Sequence, residues 1–309
     1  MPAAETSFQA MGGRAHLVVN GGRHLLSYGR QLVEALEARW SRFRPDSEIS
    51  ILNRAAGQPV AVSPETFTLV TLAVLGWHAS GGRFDPTVLD ALEAAGYDCP
   101  FQQLPPNRDG RDGMERRPGP APGLAGITLD PDAGTVTLPL GTRFDPGGIG
   151  KGYAADLLCT ELRASGAAGG CVNVGGDLRV SGRAPRGGPW RIAVAHPHGD
   201  AATLELTEGA VATSSPAGRA WRAGGRLAHH LIDPRSGQPA RTGVLQVTVV
   251  TGEAWRAEVA AKAAFLAGLP HGLDLACRLG AEALVVDADG RIHPTAGLRQ
   301  TANTEELTR

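Results

Sequence analysis

The chain has 309 residues, 42% hydrophobic and 20% charged, which is enough apolar mass for one large core or two modest ones. A formal net charge of −1 argues against nucleic acid or an anionic membrane surface as the main partner. No apolar run reaches the length of a membrane span. Met1 to Met11 lacks a basic region, an apolar core and a lipid-attachment cysteine, so a cytoplasmic location is expected.

Along the chain, Leu25, Leu32, Val33, Leu36 and Trp40 recur at helical spacing and predict a helix over 24–40. Ser63 followed by Pro64 reads as an N-cap and a proline in the first helical turn, with Phe67, Val70, Val74 and Trp77 continuing the stripe. Pro100 to Pro122 is rich in Pro, Gly, Arg and Asp and predicts a solvated loop. Apolar β-branched segments at 135–138, 171–174, 190–195 and 245–251 predict strands. Tyr153 to Leu162 predicts an amphipathic helix ended by Gly166. Helices over 254–268 and 270–279 and a strand over 283–287 follow, and 300–309 predicts a flexible polar tail. Helix and strand signals interleave throughout, which favours one compact unit.

Residue usage narrows the chemistry. The cysteines Cys99, Cys159, Cys171 and Cys277 have no C-x-x-C spacing, so neither a zinc site nor a disulfide framework is implied. Lys151 and Lys262 are the only lysines in a chain with 30 Lys and Arg together, which makes each a candidate for a specific role. Lys151 lies in Phe144-Asp145-Pro146-Gly147-Gly148-Ile149-Gly150-Lys151-Gly152-Tyr153. Its glycines permit close backbone approach, and a helix N-terminus beside them suits phosphate oxygens. The run fits neither Walker A nor G-x-G-x-x-G. A tight turn with an exposed lysine is the plain alternative. Asn173-Val174-Gly175-Gly176-Asp177 reads as a strand entering a double-glycine turn that Asp177 caps. His229 and His230 point to opposite faces of a strand, so at most one faces a given ligand. His196-Pro197-His198 reads as surface loop. Gly82-Arg83-Phe84-Asp85-Pro86-Thr87 places an aromatic and a carboxylate at a turn, where Asp85 before proline also reads as a helix N-cap.

These stretches, with Met11-Gly12-Gly13, Ser41-Arg42-Phe43-Arg44-Pro45-Asp46-Ser47-Glu48-Ile49-Ser50, Val211-Ala212-Thr213-Ser214-Ser215 and His230 to Gly237, occur in an order that resembles the FAD:protein FMN transferases, the ApbE family. The resemblance runs over roughly 7–299. It implies an α+β, T-fold-like antiparallel sheet packed by helices, as a single ApbE-like domain over 1–299. It implies cleavage of the FAD pyrophosphate with magnesium and transfer of FMN to a Thr or Ser hydroxyl of an acceptor flavoprotein. No linker suggests an appended acceptor domain, so the acceptor would come in trans. By the same resemblance, Met11, Phe43, Phe84 and Asp85 would contact the flavin dinucleotide, and Asp145 would hold it near the glycine turn. Lys151 would meet phosphate, Gly148 would offer its carbonyl to magnesium, and His230 would lie near the pyrophosphate or the incoming hydroxyl.

One helix departs from the pattern. Where the family carries an Asp and a Thr one turn apart as magnesium ligands, this chain has Glu258 and Lys262. Glutamate keeps a carboxylate, but a protonated lysine cannot ligate. A unit charge pair at 4 Å is worth ~4 kcal/mol at an effective dielectric of 20, so a dication beside an ammonium is opposed by about twice that. The expectation is that the Lys262 ammonium stands where the cation would be, beside a catalytic Glu258. The plain alternative is a solvent-facing Glu258–Lys262 ion pair at i, i+4. Loss of the metal site would leave a non-catalytic FAD-binding protein or an FAD pyrophosphatase as the alternative function.

Overall fold

The computed structural model describes residues 3–55, 57–105, 107–108, 119–196 and 199–301. Residues 106 and 109–118 of the loop predicted over Pro100 to Pro122 and all of the tail beyond Thr301 lie outside the described residues, as does His198. The chain folds into two compact units: Met1–Glu37, Lys151–Ser214 and Thr242–Arg309 form the first, and Ala38–Gly150 with Ser215–Arg241 the second. Each unit is built from separated stretches of chain, so neither boundary leaves a linker-like composition to read.

The first unit is built on an eight-stranded antiparallel sheet whose strands lie side by side in chain order. They are Ala3–Ala10, Gly13–Asn20, Gly169–Val174, Asp177–Gly182, Gly209–Ser214, Val244–Thr251, Glu282–Asp287 and Ile292–Pro294. The first hairpin closes with Ala10 opposite Gly13, and both turn residues, Met11 and Gly12, have positive φ (50° and 70°). That is the primed turn whose twist matches paired strands. Met11 is the one non-glycine residue with positive φ among the described residues, and its N–H donates to Glu37 Oε1 at 2.8 Å. A second hairpin, Trp190–His196 with Gly199–Leu206, packs Val194, Ala202 and Leu204 against Val211, Leu284 and Val286 of the sheet. His196 is therefore a strand residue, with its ring on the Gly290 carbonyl at 3.2 Å.

Helices Gly150–Ala164 and Ala254–Ala267 carry the residues that matter for function. The second is apolar on nearly every face, and eleven of its residues are buried, the pattern of a helix enclosed by protein. It packs on strands Gly209–Ser214 and Val244–Thr251 and on helix His271–Arg278. A last helix, Ala296–Thr301, reaches two residues into the stretch expected to be tail.

The second unit contains helices Glu48–Arg54, Pro64–Ala79 and Leu89–Ala94 and small sheets. Ser63 caps its helix as expected, accepting from the Thr66 N–H. Tyr97, Trp221, Ala228 and Ile232 pack with Leu92 and Phe43 into an apolar cluster.

Candidate active site

The glycine turn of residues 146–150 winds directly into a helix. The Pro146 carbonyl accepts from Ile149 N–H at 3.0 Å and from Gly150 N–H at 2.8 Å, so the helix starts at Gly150, three residues before the predicted start. Lys151 and Gly152 thus belong to its first turn, where backbone N–H groups lack intrahelical acceptors.

In the first unit these orphan groups meet Glu258. The Gly152 N–H donates to Glu258 Oε2 at 2.8 Å, and the Lys151 ammonium is held by both Glu258 Oε1 and Asp177 Oδ2. All three side chains are sequestered, with 15% exposure for Lys151, 4% for Asp177 and 5% for Glu258. The solvent-facing readings of Lys151 and of a Glu258–Lys262 pair are both overturned by this burial. Lys151, on the opposing helix, places its ammonium beside Glu258. Lys262 is half-buried on the same helix as Glu258.

Burial depresses the Lys151 pKa, but the Asp177 and Glu258 carboxylates outweigh it and hold the pKa above the ordinary lysine value. Burial, reinforced by Glu258 and opposed by Lys151, pushes the Asp177 carboxyl up to about 7. Two carboxylates around one ammonium explain both directions: the cluster is one positive charge short of balance. Asp177 was expected to cap its own turn. Asn173 does that instead, its Oδ1 accepting from Gly176 N–H at 2.9 Å, which leaves Asp177 to face Lys151. Gly175 makes room for the lysine stem, since a Cβ there would lie 3.1 Å from Lys151 Cδ.

Asp156, one turn further along the first helix, fixes the partner helix. Its carboxylate accepts from Ala254 N–H at 2.8 Å and Trp255 N–H at 2.9 Å, capping a helix whose own N-cap residue, Glu253, makes no side-chain cap bond. Asp156→Ala is expected to cost about 1–3 kcal/mol, read by urea denaturation. Burial pushes this carboxyl from 3.8 to about 6. The stability it contributes is therefore full below about pH 4 and is lost as pH rises through about 6. The gap between wild type and Asp156→Ala should be larger at pH 4 than at pH 7, and an equal gap would reject this account.

In the second unit, Phe43 and Asp145 come together around Arg42, which sequence reasoning passed over. Its guanidinium lies over the Phe43 and Tyr97 rings, 4.1 and 4.6 Å from their centroids. Arg42 Nη2 donates to the Tyr97 carbonyl at 2.8 Å, and Nε stands 3.7 Å from Asp145 Oδ1. Asp145 N–H donates to the Pro86 carbonyl. Asp85 does not cap the next helix, which starts at Leu89 after Val88. It accepts from Thr87 N–H at 2.8 Å, Thr87 Oγ1 at 2.6 Å and Trp77 Nε1 at 3.1 Å. Burial raises its pKa against those bonds. Phe84 is a core side chain, 1% exposed, and Gly148 is buried.

His229 and His230 differ in role. The His229 ring stands 3.0 Å from the Ala240 carbonyl through Nε2, and its Nδ1 accepts from Leu231 N–H. Burial lowers its pKa, so it is a neutral structural imidazole. His230 follows the strand end, with its N–H donating to the Arg219 carbonyl at 3.4 Å.

A magnesium ion takes about six oxygen ligands in near-octahedral geometry. Among the described residues no group of three or more His, Cys, Asp and Glu could hold one. Asp177 and Glu258, the carboxylates that do meet, enclose the Lys151 ammonium. In this arrangement the residues do not fit the ion. No helix among the described residues is long and apolar enough to cross a membrane.

Comparison with known proteins agrees with the motif order. The chain is 27% identical over 263 residues to an FAD:protein FMN transferase of Vibrio cholerae, covering 80% of this chain and 74% of that protein. It is 31% identical over 268 residues to an FAD:protein FMN transferase of Rhodobacter capsulatus, covering 84% of this chain and 50% of that protein. The crystal structure of the ApbE protein of Thermotoga maritima superposes with a TM-score of 0.86 at 28% identity, covering 97% of this chain and 99% of that one. The apo flavinyl transferase ApbE of Pseudomonas stutzeri gives 0.82 at 26%, over 97% and 96%. The ApbE family profile matches residues 11–285, and the chain belongs to the ApbE family.

Proposed function

We propose that this protein is an FAD:protein FMN transferase that moves FMN from FAD to a Thr or Ser hydroxyl of an acceptor flavoprotein supplied in trans. The observation that carries this reading is the match, over most of the chain, to relatives named for that reaction. The hydroxyl oxygen attacks the FMN phosphorus, the bond from that phosphorus to the bridging oxygen breaks, and AMP leaves with the electron pair. The hydroxyl proton goes to a base, a role we assign to His230.

Positioning and electrostatics dominate phosphoryl transfer. We assign flavin contacts to Met11, Phe43 and Asp85, with Phe84 as core support beneath Asp85, and ligand placement to Asp145. We assign to the helix N-terminus at Gly150 and Lys151 the partial positive charge that favours phosphate oxygens. No step is routed through magnesium, because the carboxylates that could hold it hold an ammonium.

The test is incubation of the protein with FAD and an acceptor flavoprotein domain, with and without added magnesium, reading the acceptor by intact mass. The expected result is an acceptor heavier by one FMN residue, and at least ~100-fold slower transfer by His230→Ala if it is the general base. FMN and AMP without a modified acceptor would indicate hydrolysis, and intact bound FAD with neither product would indicate a binder. Either outcome rejects the transferase reading.

A further inference from the structure

We propose that the Asp177–Glu258 carboxylate pair is a cation seat whose resident occupant is the Lys151 ammonium, and that a divalent metal ion enters it only by displacing that ammonium. Such a seat involves neither flavin nor the transfer reaction. Two buried carboxylates share one ammonium, and the other Glu258 oxygen is taken by the Gly152 N–H. This is a charge-assisted, nearly closed shell around a monovalent centre.

Geometry makes the lysine a fixture. Lys151 stands in the first turn of a fifteen-residue helix, and its stem passes a glycine at 175 where a side-chain carbon would press on it. Gly152 brings that helix against the backbone of Ala254 and Trp255, while Asp156 caps the helix bearing Glu258. The helices bearing Lys151 and Glu258 are thus tied together at Ala254 and Trp255. A divalent ion brought to these oxygens meets an adjacent positive charge, and the repulsion makes lysine and metal mutually exclusive.

Linkage then gives the test. Removing the ammonium should create metal affinity at the same oxygens, and metal should restore the stability that removal costs. Manganese serves as the probe, followed by electron paramagnetic resonance and by thermal melting of the flavin-free protein. Wild type should show no saturable manganese binding below the millimolar range and no rise in Tm with the metal. Lys151→Met should bind one manganese at least about tenfold more tightly than wild type, and its Tm should climb with manganese. Adding Glu258→Gln to that variant should abolish both effects.

Submillimolar binding to wild type that Glu258→Gln removes would overturn the proposal. So would a Lys151→Met protein that binds no better than wild type. If Lys151→Met does not fold, Lys151→Gln, which keeps most of the stem without the charge, is read by the same criteria. Failure here leaves the transfer assay untouched, and failure of that assay leaves the manganese result standing.

Discussion

Lys151→Met is expected to lower stability by about 3–5 kcal/mol at neutral pH, the range for breaking a buried ion pair by removing one partner. Glu258→Gln and Asp177→Asn are each expected to cost clearly less. The ranking follows from charge. With all three groups ionised the cluster carries one net negative charge, so neutralising either carboxylate leaves a matched pair. Removing the ammonium instead leaves two carboxylates buried together, each 5% exposed or less. Such neighbours cannot both stay ionised at low cost, and one takes up a proton.

The sign of the pH dependence follows. Asp177 already titrates near 7 instead of 3.8, so in wild type its contribution is complete below about pH 4 and declines as pH rises through about 7. Without Lys151 the carboxyl pKa values move further up, which extends the decline to higher pH. Lys151→Met should therefore recover stability as the pH is lowered from 8 towards 5, more steeply than wild type. Chemical denaturation across that range measures it. A flat difference between variant and wild type would mean that the ammonium does not set the carboxylate charge.

Local signals in this sequence were legible, and distant partnerships were not. Ser63-Pro64 predicts its helix start because an N-cap acts on residues three positions away. The segment 245–251 predicts a strand because β-branched residues restrict their own backbone. The hairpin Ala3–Ala10 with Gly13–Asn20 was not predicted. Its first strand, AAETSFQA, is short of β-branched residues, and its turn uses methionine at a position that favours glycine or asparagine. The order of the motifs carried the family. It could not reveal that Lys151 meets Asp177 and Glu258, which lie 26 and 107 positions away. The solvent-facing alternative for Glu258 arose because a lysine four residues later is the common mark of an exposed helix face. The alanines filling the rest of that helix were the counter-signal. With small apolar residues on every side, it has no polar face to present to water. Asp177 was visible inside its motif, but a turn offers an aspartate a local role that competes with a distant one.

Gly152→Ala is expected to be among the most damaging single-methyl additions in the chain, reducing both stability and FMN transfer. A Cβ at 152 would stand 2.6 Å from the Ala254 carbonyl carbon and 2.8 Å from the Trp255 nitrogen, and closer still to the Ala254 oxygen. These are backbone atoms at the start of a buried helix, so no side chain can rotate to relieve the overlap. The helices Gly150–Ala164 and Ala254–Ala267 must separate, and overpacking of this kind typically costs about 1–3 kcal/mol or more. Separation also stretches the bond from Gly152 N–H to Glu258 and the two that Asp156 makes to Ala254 and Trp255. Alanine is the better helix former, so intrinsic propensity predicts a small gain for the same substitution. Helix propensity and steric overlap therefore act with opposite sign. Urea unfolding of Gly152→Ala, beside Gly218→Ala, where a Cβ meets nothing within 4 Å, separates them. A Gly152 variant as stable as its Gly218 counterpart would mean that the two helices do not pass this closely. In that case the Glu258 carboxylate could not sit where Lys151 meets it.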